Sequence, residues 1–196
     1  MDRERPLGFT SLPDLARAIW AKSGEAAGHG LLAHLMDVAA VAEVVLRHEP
    51  PATLQLAAKA FGLTVEQTVR WVAALVGLHD FGKAIAGFQA KWIEGRQRDE
   101  QCGLPFPLSS LSCDRHSLAT AALLTPRLER LSGAEHLWSL HVVQAVSAHH
   151  GYHFQSAEID RGRPRHEDAA WARAREAILE FYWATLSPQG QPRAEA

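Results

Sequence analysis

The stretch Leu78-His79-Asp80-Phe81-Gly82-Lys83 places an imidazole, a carboxylate and an amine within about one helical turn. It ends an apolar run, residues 71–78, which predicts a buried position for the motif. An unpaired carboxylate is costly to bury, and a metal ion removes that cost. On a helix, His79 and Asp80 point about 100° apart and can approach one ion from two sides, while Lys83 shares the face of His79. The stretch therefore predicts a metal site if other segments supply further ligands.

The composition is that of one ordinary soluble domain. The chain has 196 residues, 47% hydrophobic and 21% charged, with a formal charge of −2. This length is sufficient for a real core, and the charge does not favour binding of a polyanion by bulk electrostatics. Two cysteines, Cys102 and Cys113, favour a reduced protein, although a disulfide between them stays open. Residues 1–6 lack the apolar core of a signal peptide, and no apolar run approaches the roughly 20 residues of a membrane span. We therefore expect no membrane association and a cytoplasmic location.

Helical periodicity predicts an all-α fold of about seven or eight helices around the metal site. Apolar residues recur at helical spacing in 31–47, which places His34 on a core face. Thr64 and Gln67 resemble a capping box that opens the helix leading to His79. No stretch alternates convincingly with period two, and no internal repeat is evident. The predicted helices cover residues 11–21, 31–47, 53–61, 64–79, 83–92, 115–124, 134–149 and 167–186.

The segments between these helices are predicted to be loops. Residues 94–114 are polar or rich in Gly, Pro and Ser, which predicts a long surface loop. Pro126 is expected to stop the helix before it. Residues 187–196 are too polar to pack, so we assign residues 1–186 to one domain and residues 187–196 to a polar tail or linker.

Eleven histidines are unusual for this length, and their positions matter because histidine is the commonest metal ligand. His34, His116 and the pair His149-His150 each lie beside an apolar run. One histidine on an apolar face is more often a hydrogen-bonded core residue than a ligand. Several helices that each bring histidine inward favour a shared cation, because every buried imidazole needs a partner. The other histidines are assigned to solvated surface (His29, His48, His136, His153 and His166) or left undecided (His141).

The ordered set of His34, His79-Asp80, His116 and His149-His150 resembles the HD superfamily of metal-dependent phosphohydrolases, which are all-helical. More narrowly, the chain from about residue 12 to 155 resembles the HD nuclease domain of the CRISPR-associated nuclease-helicase of type I systems. The segments that carry this resemblance are residues 31–39, residues 78–84 with Phe88-Gln89 after them, residues 114–116 and residues 148–151.

The resemblance implies a metal-dependent nuclease acting on single-stranded DNA in CRISPR interference, a form of antiviral defence. It also implies a superfamily 2 helicase, fused or separate, and a crRNA-guided surveillance complex as partners. The matching metal ligands are His34, His79, Asp80, His116, His149 and His150, and Lys83 matches the active-site lysine. Ser117 stands where the family usually has an acidic residue.

The family also supplies a last metal-binding Asp after the His-His pair, in a sequence context that is missing here. Asp160 and Asp168 follow the pair in polar surroundings, so neither is assigned. Either the chain is a truncated domain whose helicase part has been removed, or this ligand is absent. We therefore expect fewer than two metal ions per protein.

The predicted chemistry is hydrolysis of a phosphodiester with one or two divalent ions. Asp80 can bridge two ions, with His34 and His79 on one ion and the remaining three histidines on the other, although the sequence does not fix this partition. Imidazole and carboxylate donors favour Mn, Fe, Co, Ni or Zn over magnesium. Asp80 and Lys83 are the predicted catalytic residues, with Lys83 stabilising phosphate charge.

Three further assignments have two readings each. Asp37 either accepts a hydrogen bond from an imidazole or is an ordinary helix carboxylate. Arg115 is either a phosphate contact or a surface charge. Trp92 with Lys91, Arg96 and Arg98 either tracks a single strand or forms a solvated helix end.

Two other functions stay open at this point. One is an HD phosphohydrolase that acts on free nucleotides or cyclic dinucleotides with the same metals. The other is a helical interaction module whose histidines are structural.

Overall fold

The computed structural model describes residues 11–24, 28–132 and 138–193. These residues form ten α-helices, of which seven have nine residues or more and three are about one turn long. The predicted all-α class is confirmed. The elements in chain order are α1 Asp14–Ala18, β1 Trp20–Lys22, β2 His29–Gly30, α2 Leu31–Arg47, α3 Pro51–Phe61, α4 Val65–Gly77, α5 Ala86–Gln89, α6 Ile93–Gln101, α7 His116–Ser132, α8 Trp138–Ser147, α9 Ser156–Ile159 and α10 Ala169–Leu186.

The core lies between α2, α4, α7 and α10. Helix α2 packs along α4, and α7 packs against α8 and against the segment that follows α4. Helix α10 closes the core with Trp171, Ile178 and Tyr182, all of which are fully buried. The Tyr182 hydroxyl donates a hydrogen bond of 2.6 Å to the Ala74 carbonyl, which fixes α10 to α4. The segment from Leu78 to Lys83 is therefore enclosed by long helices.

The apolar stripe of α2 is shorter than its sequence predicts. Leu31, His34 and Leu35 are buried as expected, but Val41 is 63% exposed and Val45 is 55% exposed. The last turns of α2 are held at the surface by ion pairs, in which Arg47 contacts Glu43 and Glu66. The stripe that buries His34 thus belongs to the first half of the helix.

The predicted capping box of α4 is confirmed. The Gln67 amide N–H donates to Thr64 Oγ1 at 3.2 Å, and the Thr64 amide N–H donates to Gln67 Oε1 at 3.0 Å. These two bonds satisfy donors that the first turn of a helix leaves free. They set the start of the helix that leads into the His-Asp motif.

The predicted helix over residues 11–21 is wrong at both ends. Helix α1 begins at Asp14, with Pro13 as its N-cap, and ends at Ala18. Residues Trp20–Lys22 instead pair antiparallel with His29–Gly30. The reason is tertiary, because the backbone N–H and C=O of Trp20 both bond to the buried Gln89 side chain, 69 residues away.

Two further predictions about regular structure are wrong. Part of the predicted loop 94–114 belongs to helix Ile93–Gln101, in which Gly95 and Asp99 are the buried residues, so no apolar period is visible. Helix α7 continues through Pro126 to Ser132. The buried side chains of Leu124 and Leu128 flank that proline, so packing holds the helix together across the missing N–H.

The expectation that the polar tail would not pack is wrong for residues 187–193. Trp71 Nε1 donates to the carbonyls of Gln189 and Gly190 at 3.2 and 3.1 Å, and the Arg193 amide N–H donates to the Phe61 carbonyl at 2.8 Å. Side chains of this segment also make contacts, since Pro192 is buried and Gln191 Nε2 donates to the Leu131 carbonyl. The boundary between residues 1–186 and 187–196 stays a prediction. Among the described residues, no helix combines the length and apolar character needed to cross a membrane.

Candidate metal centre

The His-Asp motif lies in a 3₁₀ turn, Leu78–Lys83, and not on the α-helix that was predicted. Helix α4 ends at Gly77, where a Cβ atom would come within 2.1 Å of the Tyr182 hydroxyl oxygen. In a 3₁₀ turn residues i and i+3 share a face. Lys83 therefore pairs with Asp80, with Nζ 2.7 Å from Oδ2, instead of sharing the face of His79.

Helix α7 holds this turn through Thr120, which is fully buried. Thr120 Oγ1 accepts a hydrogen bond of 2.8 Å from the Gly82 amide N–H and donates one of 3.0 Å to the His79 carbonyl. A Cβ atom on Gly82 would lie 2.0 Å from the His116 carbonyl oxygen. Only glycine allows the turn and the start of α7 to approach so closely, and this approach brings His79 and His116 together.

The residues after the motif are fixed by buried polar side chains. Gln89 Nε2 donates to the Lys83 carbonyl at 2.8 Å. Glu167 Oε1 accepts from the Ala86 amide N–H at 2.8 Å and Glu167 Oε2 pairs with Arg175 at 2.6 Å. Arg175 also donates to the Ala84 carbonyl at 2.9 Å. The chain beyond Lys83 is thus anchored both to β1 and to α10.

The two oxygens of Asp80 serve two different groups of histidines. Oδ2 lies 3.0 Å from His34 Nε2 and 3.3 Å from His79 Nε2. Oδ1 lies 3.2 Å from His116 Nε2 and 3.4 Å from His149 Nε2. His150 joins the second group, with its Nε2 3.0 Å from His116 Nε2. The structure thus brings together all six side chains that were predicted as metal ligands, in the partition that the sequence left open.

The six predicted ligand side chains come from four separate pieces of backbone. His34 comes from the first turn of α2 and His116 is the first residue of α7. His149 and His150 lie in the 3₁₀ turn that follows α8, which Gly151 ends with a φ of +79°. His34 and Asp80 are buried, His79 and His116 are partly buried, and His149 and His150 are exposed. The centre therefore opens to solvent at the His149-His150 side.

Backbone carbonyls set the tautomers of two of these histidines. His79 Nδ1 lies 3.2 Å from the Val76 carbonyl oxygen, and His149 Nδ1 lies 3.1 Å from the Val146 carbonyl oxygen. A carbonyl can only accept, so in a neutral imidazole the proton is on Nδ1 and the lone pair of Nε2 faces Asp80. A lone pair directed at a carboxylate oxygen is repelled unless a cation lies between them.

The protonation states in the centre suit a cation. Burial alone raises the pKa of the Asp80 carboxyl, but its contacts with three histidines and Lys83 outweigh burial and hold that pKa well below its usual range. Burial lowers the pKa of His34, and Asp80 only partly opposes this effect. The pKa of His150 is lowered by burial and then by the neighbouring His149 and His116. Near neutral pH the Asp80 carboxyl is therefore ionised, and His34 and His150 lose their protons at a lower pH than a free imidazole does.

The donor set fits a transition-metal ion. Two atoms bound to one ion at metal–nitrogen distances of about 2.0–2.1 Å lie about 3 to 3.5 Å from each other. The Nε2 atom of His116 lies 3.4 Å from Nε2 of His149 and 3.0 Å from Nε2 of His150. Among the described residues, two groups of three have donor atoms within 4.8 Å of one another, His34-His79-Asp80 and His116-His149-His150. Nitrogen-rich donors of this kind favour Mn, Fe, Co, Ni or Zn over magnesium.

The two aspartates that follow the His-His pair make contacts of their own. Asp160 pairs with Arg163 and Arg165 at 2.9 and 3.0 Å, and the Asp168 side chain caps α10 by accepting from the Ala170 amide N–H at 2.8 Å. Neither supplies an oxygen to the donor groups found among the described residues.

The remaining candidates contact neighbours outside the six-residue set. Asp37 Oδ2 lies 3.1 Å from His29 Nε2, so its imidazole partner is not one of the predicted ligands. The Arg115 guanidinium lies over the rings of Tyr152 and Phe154 at 5.9 and 5.6 Å. His141, His153 and His166 are exposed, and His136 lies outside the described residues. Cys102 and Cys113 are free thiols.

The fold and this centre define a helical domain of the HD type. The family described as Cas3, HD domain, matches residues 20–196, and the chain belongs to that family. The chain is 42% identical over 191 residues to the CRISPR-associated endonuclease/helicase Cas3 of Thermus thermophilus. This alignment covers 95% of the chain but 20% of that relative, so the chain spans about a fifth of the relative's length.

Solved structures agree with this membership. A crystal structure of the Thermus thermophilus Cas3 HD domain in the presence of Ni²⁺ matches with a TM-score of 0.65 and 36% identity, covering 91% of this chain and 68% of that one. A chain in a CRISPR RNA-guided surveillance complex, pre-nicking, matches with a TM-score of 0.67 and 24% identity, covering 96% of this chain and 22% of that one. At that identity the second match concerns the fold alone.

Proposed function

We propose that this chain is the nuclease domain of a CRISPR interference system and that it hydrolyses phosphodiester bonds of single-stranded DNA with divalent transition-metal ions. The observation that carries the proposal is the position of Asp80, whose two oxygens each contact a separate group of histidines. A carboxylate shared in this way suits the two-metal clamp that phosphodiester hydrolysis uses. Membership of the Cas3 HD domain family supports the same chemistry.

The proposed roles follow from what each side chain contacts. His34 and His79 with Asp80 Oδ2 would hold one ion, and His116, His149 and His150 with Asp80 Oδ1 would hold a second. A bound ion at such a site supplies an activated water and neutralises charge on the phosphoryl oxygens. His79 and His149 are kept in the ligating tautomer by their carbonyl partners. Among the described residues no further carboxylate joins the group of His116, His149 and His150, so the second ion is expected to bind less tightly.

Lys83 is assigned two contributions. In the described arrangement its ammonium pairs with Asp80 Oδ2 at 2.7 Å and donates to the Ala21 carbonyl at 3.0 Å. These contacts offset the cost of burying the charged Asp80 carboxylate and fix its orientation. Stabilisation of negative charge on the phosphate by Lys83 is the second contribution, and it would require the ammonium to leave one of these partners.

The exposure of the centre favours a polymeric substrate. His149 and His150 are exposed, so the second group of donors lies at the surface of the domain. A phosphodiester within a long strand can reach such a centre without threading into an enclosed pocket. We extend the proposal to partners on the basis of family membership, namely a superfamily 2 helicase, fused or separate, and a crRNA-guided surveillance complex.

The decisive assay is cleavage of circular single-stranded DNA by the purified chain with Mn²⁺, Co²⁺ or Ni²⁺. We expect endonucleolytic cleavage that stops on chelation and resumes when metal is returned. Asp80→Ala should be inactive with every metal, whereas Asp160→Ala, which removes an exposed carboxylate, should retain activity. Release of phosphate or nucleotide from free nucleotides or cyclic dinucleotides, with no cut in the DNA circle, would refute the proposed substrate and favour the nucleotide phosphohydrolase.

A further inference from the structure

An open cavity of about 550 Å³ lies beside the first strand of the domain, outside the metal centre. Its lining residues include two tryptophans, two arginines and two glycines: Trp20, Trp92, Arg17, Arg98, Gly28 and Gly30. Asp14 also lines it and forms an ion pair with Arg17. Aromatic rings and guanidinium planes together are what a nucleic-acid base stacks upon.

Ring contacts connect this cavity to the metal centre. The His116 ring packs on Phe88 with centroids 5.1 Å apart, Phe88 packs on Trp20 at 5.1 Å, and Trp20 packs on Trp92 at 5.5 Å. The Arg98 guanidinium then lies over the Trp92 ring, 4.5 Å from its centroid. The ammonium groups of Lys83 and Lys91 lie 5.5 and 5.3 Å from the Phe88 centroid. A continuous row of rings with cations beside it thus begins at a predicted metal ligand and ends in the cavity.

Two glycines keep the cavity open in different ways. A Cβ atom on Gly28 would lie 2.6 Å from the Trp92 ring, so a side chain there would displace that ring. A Cβ atom on Gly30 would meet nothing within 4 Å. Gly30 has a φ of −63°, which any residue can adopt, so its backbone does not require glycine. Gly30 is a lining residue of the cavity, and the space that its side chain would enter is open.

We infer that this cavity is a base-binding subsite, which takes one nucleobase of the single strand whose phosphodiester lies at the metal centre. This inference rests on the proposed function and adds a second point of contact for the substrate. The base stacks on the Trp92–Arg98 pair, and the strand between cavity and centre passes over Phe88 and Lys91. Because every base has a π-face, the subsite contributes affinity without strong sequence preference.

The proposed subsite is tested by enlarging the side chain at position 30, which should fill the cavity. Binding of a fluorescently labelled oligothymidylate would be measured by anisotropy with a chelator present, so that no cleavage occurs. Gly30→Phe should fill the cavity and weaken binding about tenfold, the loss expected for one base–aromatic stack, whereas Gly30→Ala should bind within about twofold of the parent chain. Arg98→Gln should weaken binding by about threefold or more, and Arg70→Gln, which removes the same charge from the exposed face of α4, should not.

An oligomer of abasic residues separates base binding from phosphate binding. The Gly30→Phe and Gly30→Ala variants should bind that oligomer with equal affinity, because it has no base that could enter the cavity. Equal binding of thymidylate by the two variants, or a difference that persists with the abasic oligomer, would overturn the inference. Thymidine monophosphate that competes as well as the oligomer would overturn the assignment to a strand. Unfolding temperatures of the variants check their folding, and Arg98→Gln keeps the test valid if Gly30→Phe does not fold.

The inference and the proposed function fail separately. Cleavage of circular DNA with no effect of Gly30→Phe on base-dependent binding would leave the proposed nuclease intact and refute the subsite. Base-dependent binding that Gly30→Phe removes, in a chain that cuts no DNA under any metal, would support the subsite and refute the nuclease.

Discussion

Replacing Asp99 by Asn should make the protein more stable, by an amount that grows with pH. Asp99 is fully buried in α6, and neither of its carboxylate oxygens has a hydrogen-bond partner. Burial raises the pKa of this carboxyl to about 8; the nearby charge of Arg98 lowers it by a smaller amount, and that of Glu100 raises it further. Asn has the shape of the protonated acid and never ionises. The variant therefore removes the cost of burying a charge and leaves the packing unchanged.

The sign and size of the effect follow from the pKa of Asp99 in the two states. In the unfolded chain the carboxyl ionises with a pKa of about 3.9, and in the folded chain it holds its proton up to about pH 8. Between these values the folded state binds more protons, so stability falls as pH rises and levels off above pH 8. Over about four pH units, at about 1.4 kcal/mol each, the parent chain loses at most about 5 to 6 kcal/mol of unfolding free energy through Asp99. About 3 kcal/mol of this loss falls between pH 5.5 and 8.

Urea unfolding of the parent chain and Asp99→Asn at half-unit steps from pH 5.5 to 9 would measure this. The difference in unfolding free energy should rise with pH at up to about 1.4 kcal/mol per unit and then become constant. Asp160→Asn is the matched control, since that carboxylate is exposed and already paired, and its difference should stay flat. A flat difference for Asp99→Asn, or one that falls with pH, would refute the reasoning about the buried carboxyl.

Four further predictions concern the centre itself. Asp80→Asn should lose both bound metal and DNA cleavage; elemental analysis with unchanged metal content would contradict the shared carboxylate. Thr120→Val should reduce the unfolding free energy by about 1–3 kcal/mol and weaken metal binding, because the Gly82 N–H and the His79 carbonyl lose their partner. The control is Thr185→Val, which removes an exposed hydroxyl. In the same urea titration it should change the unfolding free energy by less than about 0.5 kcal/mol. Gly82→Ala should be destabilised more than Thr120→Val, since its methyl group meets the start of α7, and equal unfolding midpoints would argue against the close approach. After dialysis the parent chain should hold fewer than two ions per molecule, and two tightly held ions would mean that this chain supplies every ligand.

The features that the sequence predicted are those in which local chemistry and tertiary structure agree. The capping box at Thr64 uses two side chains three residues apart, so it forms wherever a helix starts there. The all-α class follows from periodicity. The order of the histidines indicated which side chains meet, although only the structure shows that Asp80 divides them into two groups.

The features that were missed depend on partners far away in the chain. Trp20 lies in a strand because Gln89 bonds to its backbone, and nothing near Trp20 in the sequence indicates that contact. The 3₁₀ turn at Asp80 depends on Thr120 in α7, a residue type that does not stand out in an apolar helix. Helix α6 escaped detection because Gly95 and Asp99, its two buried residues, are not apolar side chains that would show a period.

The six donor side chains of the centre, Asp80 and five histidines, also have a consequence for folding. His34 and Asp80 are 46 residues apart, and His116 and His149 are 33 residues apart, so an ion bound here would tie together four distant pieces of chain. Such a tie closes long loops that the unfolded chain would otherwise explore, much as a disulfide does, but it can be undone by a chelator. Amide hydrogen exchange should then slow on metal addition at the ends of α2, α7 and α8 together. The centre would act as a reversible cross-link, and the rigidity of the domain would show whether metal is bound there.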